Sequence, residues 1–175
     1  MMKKLFTSLV LATGIIAIAP PFNSWAQSNS NPGLTIFSGV KRENILDYHL
    51  DFGGQAGEWD RYRLRIPPDK LPFKVTQFHV TYPDYYKGKF DTDEIEVRID
   101  GEPQPVSDVT WNKKEHLVSI SLKEPINPKQ QVELVFSNVK NPRFGGTFYF
   151  GAQVDVANQV AIRRYVGTWI IDIDN

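Results

Sequence analysis

The chain has 175 residues, with 20 basic and 20 acidic side chains, three histidines and no cysteine. The absence of cysteine excludes disulfides, thiolate metal centres, a cysteine nucleophile and the acylated amino-terminal cysteine of a lipoprotein; the balanced charge, without a basic run or face, excludes a nucleic-acid binder. A chain of this length buries roughly 70% of its unfolded surface around one core, so it needs no covalent staple to fold.

At the start, Lys3 and Lys4 precede an apolar run from Leu5 to Ala19, which ends at Pro20-Pro21 before Ser24-Trp25-Ala26. A positive end, an apolar stretch short of the ~20 residues that span a bilayer, and small residues before the break predict a secretory signal over residues 1–26, cleaved between Ala26 and Gln27. Its removal takes away two lysines and no acid, leaving a small acidic excess. No other segment is apolar enough to span a membrane. The expectation is therefore an exported protein of the periplasm, outer envelope or cell exterior, and the lack of cysteine leans towards a bacterial envelope. Residues 27–33, rich in Ser and Asn and ending in Pro-Gly, read as a flexible leader, and residues 34–175 as a single domain.

From there the hydrophobic period is two. Tyr62, Leu64 and Ile66 alternate with three arginines; Ile95, Val97 and Ile99 alternate with Glu94, Glu96 and Arg98. The pattern recurs through Val118, Ile120 and Leu122, through Val132, Leu134 and Phe136, through Phe148, Phe150, Ala152, Val154 and Val156, and through Tyr165, Gly167, Trp169, Ile171 and Ile173, as half-buried strands require. Shorter strand pieces are predicted at 34–37, 48–52, 75–82 and 106–111. Asp100-Gly101 predicts a tight hairpin, and Asn112-Lys113, Asn127-Pro128, Asn141-Pro142 and Gly145-Gly146 supply further turns. Pro103 and Pro105 fit connections or strand starts, where no ladder bond is lost. Asn158 to Arg164 has room for one helical turn but too few apolar residues for a helical layer. Seven to ten short strands without helical periodicity predict an all-β fold, an immunoglobulin-like antiparallel β-sandwich.

Several of these segments carry a resemblance: Tyr62-Arg63-Leu64-Arg65-Ile66-Pro67, Tyr82-Pro83-Asp84-Tyr85-Tyr86, Val109-Thr110-Trp111, Val139-Lys140-Asn141-Pro142, Gly145-Gly146-Thr147-Phe148-Tyr149-Phe150 and Tyr165-Val166-Gly167-Thr168-Trp169. In their order and spacing they resemble a family of uncharacterised secreted proteins found mainly in cyanobacteria, a domain of unknown function. The resemblance runs from about Gly33 to Ile173 and implies a bacterial source, an envelope address and a small all-β domain. It brings no catalytic residue, cofactor or ligand.

Two groups of residues invite chemistry. Tyr82, Tyr85, Tyr86 and Phe90 fall within nine positions, interleaved with charges. Flat rings with polar tips suit a glycan or an extended peptide, so these four are the candidate ligand-binding residues, weighed against the plainer reading that they pack over one end of the sandwich. In the same stretch Asp84, Asp91 and Asp93 are the candidate ligands for calcium, the only cofactor the sequence suggests. The spacing departs from an EF-hand loop, and Lys87 and Lys89 would neutralise the same carboxylates. His49, His79 and His116 fall in three separate predicted strands with no metal-binding spacing. A serine nucleophile on a Gly-x-Ser-x-Gly turn is absent. Arg61, Arg63 and Arg65 form a cationic strip that cross-strand carboxylates would explain as well as an anionic ligand. The sequence therefore points to a non-enzymatic envelope module that binds a partner protein or an envelope glycan, with a carboxylate-based envelope hydrolase and a calcium-dependent structural domain as alternatives. A histidine beside a hydroxyl, or two convergent carboxylates in a deep cleft, would favour the enzyme.

Overall fold

The computed structural model describes residues 39–157 and 163–175. The predicted signal segment with its cleavage site, the leader, the strand piece at 34–37 and residues 158–162 of the helical turn weighed over 158–164 lie outside them. The described residues belong to one compact unit.

Among the described residues eleven strands make two sheets: β1 (Ile45–Leu46), β2 (Tyr48–Leu50), β3 (Trp59–Ile66), β4 (Val75–Thr81), β5 (Ile95–Ile99), β6 (Glu102–Gln104), β7 (Val106–Asn112), β8 (Leu117–Ile126), β9 (Val132–Lys140), β10 (Gly146–Val156) and β11 (Arg164–Ile173). One sheet has the order β1-β11-β10-β4-β8-β7, the other β2-β3-β9-β5-β6. Every pairing is antiparallel except the short one between β1 and β11. The sheets pack face to face around one core built from the alternating residues of both, among them Tyr62, Leu64, Ile66, Phe78, Ile120, Leu134, Phe136, Phe150, Trp169 and Ile171. Trp169 crosses the sandwich, its indole N–H donating to the Arg65 carbonyl at 3.0 Å. This is the expected all-β sandwich.

Local chemistry explains the joints. Asp100 and Gly101 both hold positive φ, 52° and 92°, between β5 and β6, the geometry of a two-residue hairpin whose turn twist matches its strands. Pro103 lies inside β6 rather than in a connection; it is tolerated because β6 is a sheet edge and its missing N–H faces no partner. The alternation predicted for β11 changes phase. A bulge opposite Ala152 and Gln153 skips Val166, so Val166 turns inward and Tyr165 outward, as one extra residue in a strand dictates. Gly167 stands against Leu46 of β1, whose Cγ would lie 2.6 Å from any added Cβ.

The arginine strip on β3 is consumed by carboxylates. Arg63 pairs with Asp51 at 2.7 Å and Glu133 at 3.1 Å, Arg65 with Asp47 at 2.8 Å and Glu133 at 3.1 Å, and Arg61 reaches Asp51 at 3.5 Å. The guanidinium of Arg63 in turn holds the Asp51 carboxyl below the usual carboxylate range.

Candidate functional site

One end of the sandwich gathers the connections 51–58, 82–94, 113–116 and 141–145 with residues 174–175. Hydrogen bonds between connections fix this end. The buried Asp60 carboxylate accepts the N–H groups of Phe52 at 3.0 Å, Gly54 at 2.7 Å and Arg61 at 2.7 Å. Gly57 donates to the Pro142 carbonyl at 2.7 Å, Asn141 to that of Glu58 at 2.9 Å, Ala56 to that of Asp174 at 2.7 Å, and Lys89 and Lys140 exchange two bonds of 2.9 Å. Below them the Tyr62 hydroxyl donates to Asn141 Oδ1 at 2.6 Å and faces the Tyr86 hydroxyl at 3.2 Å, while Asn141 Nδ2 donates to the Gln55 carbonyl at 2.8 Å. Burial pushes both tyrosine pKa values up, so the hydroxyls stay protonated donors.

The four candidate aromatics divide. Tyr82, Tyr86 and Phe90 are buried and Tyr85 is 54% exposed. The mouth between the sheets needs an apolar lid, and a turn in which the Tyr86 N–H donates to the Pro83 carbonyl at 3.0 Å swings Tyr86 inward. Tyr86 stacks on Phe90 with centroids 5.5 Å apart and meets Phe150 edge-on at 4.9 Å. Three of the four therefore cover the core, as in the plainer reading, while the exposed Tyr85 lies over Phe148 at 5.7 Å with its hydroxyl donating to the Thr147 carbonyl at 3.5 Å.

Burial leaves part of their surface facing a cleft of about 270 Å³ between the 82–90 segment and the β7–β8 turn. Its floor is Tyr82, Tyr86, Trp111 and His116; its rim is Lys87, Lys89, Lys113 and Asp84. The Trp111 indole N–H donates to the Tyr82 hydroxyl at 2.7 Å, and the Lys113 ammonium sits 4.3 Å from the Trp111 ring centre. The Lys87 ammonium donates to the Asp84 carbonyl at 2.6 Å. Gly88 has no room for a side chain, because a Cβ there would lie 2.4 Å from the Tyr86 hydroxyl oxygen. The sequence reading missed Trp111, Lys113 and His116. His116 lies in the turn before β8, at φ 52°, not in a strand. The available signal was a second stretch mixing an aromatic with lysines, Trp111 to Lys114, but only folding sets it opposite the first.

The candidate calcium ligands are otherwise engaged or apart. Asp91 caps a 3₁₀ turn by accepting the Asp93 N–H at 3.3 Å, and its other oxygen accepts Asn138 Nδ2 at 3.4 Å. Among the described residues no group of three His, Cys, Asp or Glu side chains is placed to hold a metal ion.

A histidine beside a hydroxyl does occur, on the outward face of the six-stranded sheet. His79 Nδ1 lies 2.9 Å from Ser119 Oγ and His79 Nε2 lies 3.0 Å from Asp155 Oδ2. The order resembles a triad, but Ser119 is directly paired with His79 on one side and Thr110 on the other. The backbone around it is committed to two ladders, which leaves no N–H for an oxyanion. The cluster ties β4, β8 and β10 together. A cavity of about 590 Å³ is lined by Asp47, Asp100 and Glu133 with Arg65 and Arg98, and Arg65 ion-pairs with both Asp47 and Glu133.

Among the described residues no helix is long and apolar enough to cross a membrane. No curated protein is significantly similar to the chain. Similar solved structures include the bacterial hydrophobin BslA, 17% identical over 74% of this chain and 96% of that one with a TM-score of 0.49. They include the collagen-binding domain of a Staphylococcus aureus adhesin, 8% identical over 74% and 97% with a TM-score of 0.43, and a Nocardia farcinica protein with an immunoglobulin-like fold, 14% identical over 75% and 99% with a TM-score of 0.41. Residues 34–173 match the family described as protein of unknown function (DUF2808), and the chain belongs to that family.

Proposed function

We propose that this chain is an exported, non-enzymatic module of a bacterial envelope, in keeping with the cyanobacterial resemblance, that holds an envelope glycan by the loop end of its sandwich. The observation that carries the reading is the aromatic-floored, lysine-rimmed cleft held in a hydrogen-bonded loop end. Sugar rings present apolar C–H faces beside polar rims, and aromatic floors with convergent polar groups are what recognise them. The positively charged, apolar amino-terminal segment supports export. A hydrolase would need an acid or base free to act, whereas Glu133 and Asp47 hold arginines and His79 holds strands together.

The same end carries exposed apolar rings: Trp59 (57%), Phe144 (72%) and Phe52 (62%). Each has a cation over its ring, Lys140 at 5.1 Å, Arg143 at 5.6 Å and Arg61 at 5.9 Å respectively. They favour a second reading, a protein partner at this end, because large exposed rings are typical anchors of protein interfaces. Sedimentation with purified, protein-free envelope glycan separates the two. The chain is expected to co-sediment, with at least about tenfold weaker retention for Lys87→Gln/Lys89→Gln (about 1.4 kcal/mol). A chain left wholly in the supernatant, yet crosslinked to an envelope protein through Trp59 or Phe144, overturns the glycan reading in favour of the partner protein.

A further inference from the structure

We infer that the cleft under the 82–90 segment selects an acidic sugar, a pyranose bearing a carboxylate, over the neutral form of the same ring. The inference rests on the glycan-binding reading and sharpens it to a ligand charge. It comes from three lysines, on two separate connections, that line this one opening. Among the described residues, the ammonium groups of Lys87, Lys89 and Lys113, like those of the other lysines, have no ion-pair partner. They line one opening, which the Asp84 carboxylate also borders.

Lys89 is anchored through its backbone to Lys140 by two hydrogen bonds, Lys87 is tethered to the Asp84 carbonyl, and Lys113 rests over Trp111. Like charges held around one mouth repel each other, and an anion placed between them relieves that repulsion. The volume, about 270 Å³, is below the ~300–1,000 Å³ of sites for drug-sized ligands, which suits a single ring or chain end. The floor of Tyr82, Tyr86 and Trp111 offers the C–H face of such a ring an apolar seat, and the lysines stand where a carboxylate on its rim would point.

The test uses the full chain and a panel of oligouronates, galacturonate and glucuronate, each paired with its neutral methyl ester. Binding is read by Trp111 fluorescence and calorimetry. The acid is expected to bind at least about tenfold more tightly than its ester, the preference shrinking as salt rises from about 0.01 to 0.5 M. Lys87→Gln/Lys89→Gln is expected to abolish the preference without moving the melting temperature, and Arg98→Gln to keep it. Equal binding of acid and ester, or a preference that survives Lys87→Gln/Lys89→Gln, overturns the charge inference and leaves the glycan reading standing. No saturable binding to any acid in the panel also overturns it; if sedimentation with envelope glycan fails as well, both readings fall.

Discussion

Replacing Tyr62 by Phe removes one oxygen from a site with no access to water, and the structure says which neighbours suffer. The Tyr62 hydroxyl donates to Asn141 Oδ1 at 2.6 Å, so the Tyr86 hydroxyl, 3.2 Å away, donates to Tyr62. Tyr62→Phe therefore orphans two buried groups at once, an amide acceptor and a phenol donor. A buried polar group without its partner costs about 1–3 kcal/mol, so the loss is expected at about 2–4 kcal/mol. Tyr86→Phe deletes only the outer donor, leaves the Tyr62–Asn141 bond intact, and should cost below about 1 kcal/mol. In the double variant Tyr86 no longer has a hydroxyl to strand, so the combination should cost less than the sum of the single changes, a coupling expected between residues that share a partner. Urea unfolding with unchanged slopes supplies all the terms. Losses that simply add, or a Tyr62→Phe cost no larger than that of Tyr86→Phe, would show that the chain of hydroxyls does not hold Asn141 and the loops above it.

Asp60→Ala leaves three backbone N–H groups without their carboxylate, and a fall of at least about 2 kcal/mol in unfolding free energy is expected; a midpoint within error of the parent refutes the assigned role. His79 gives a pH dependence. Burial holds its pKa below the ordinary value, against the opposing hydrogen bond that its ring makes to the Asp155 carboxylate. Below about pH 6.5 the unfolded chain therefore takes up a proton that the folded one resists, and stability drops as pH falls from there. His79→Gln should flatten the stability profile between about pH 5 and 7, measured by urea midpoints; a profile unchanged by the substitution removes His79 as its source.

The sandwich was legible because its interior positions alternate: every residue of the Phe148–Val156 series expected to face inward does so. Legibility failed where a single residue is inserted, since the bulge at Val166 shifts the phase of β11 without a compositional mark. β1 and β6, two and three residues long, are too short for any period. The candidate site was half visible. A run of tyrosines announces a special segment, but burial is a property of the lid as a whole, and sequence offered no means of telling Tyr85, which faces solvent, from Tyr86 beside it. The opposing wall, Trp111 to His116, comes from a hairpin whose position across the cleft is set by β8 pairing with β4.

The parallel pairing of β1 with β11 joins Ile45 to Thr168, and the 51–58 connection is finished by the backbone of Asp174. Strands near the start of the described chain thus wait for strands near its end. Contacts so distant along the polymer close slowly, on a scale of milliseconds to seconds in all-β domains. Until residues 164–174 arrive, the border of β10 that β11 will cover stays open, so the interval between synthesis and closure is when this chain is most exposed to pairing with a neighbour.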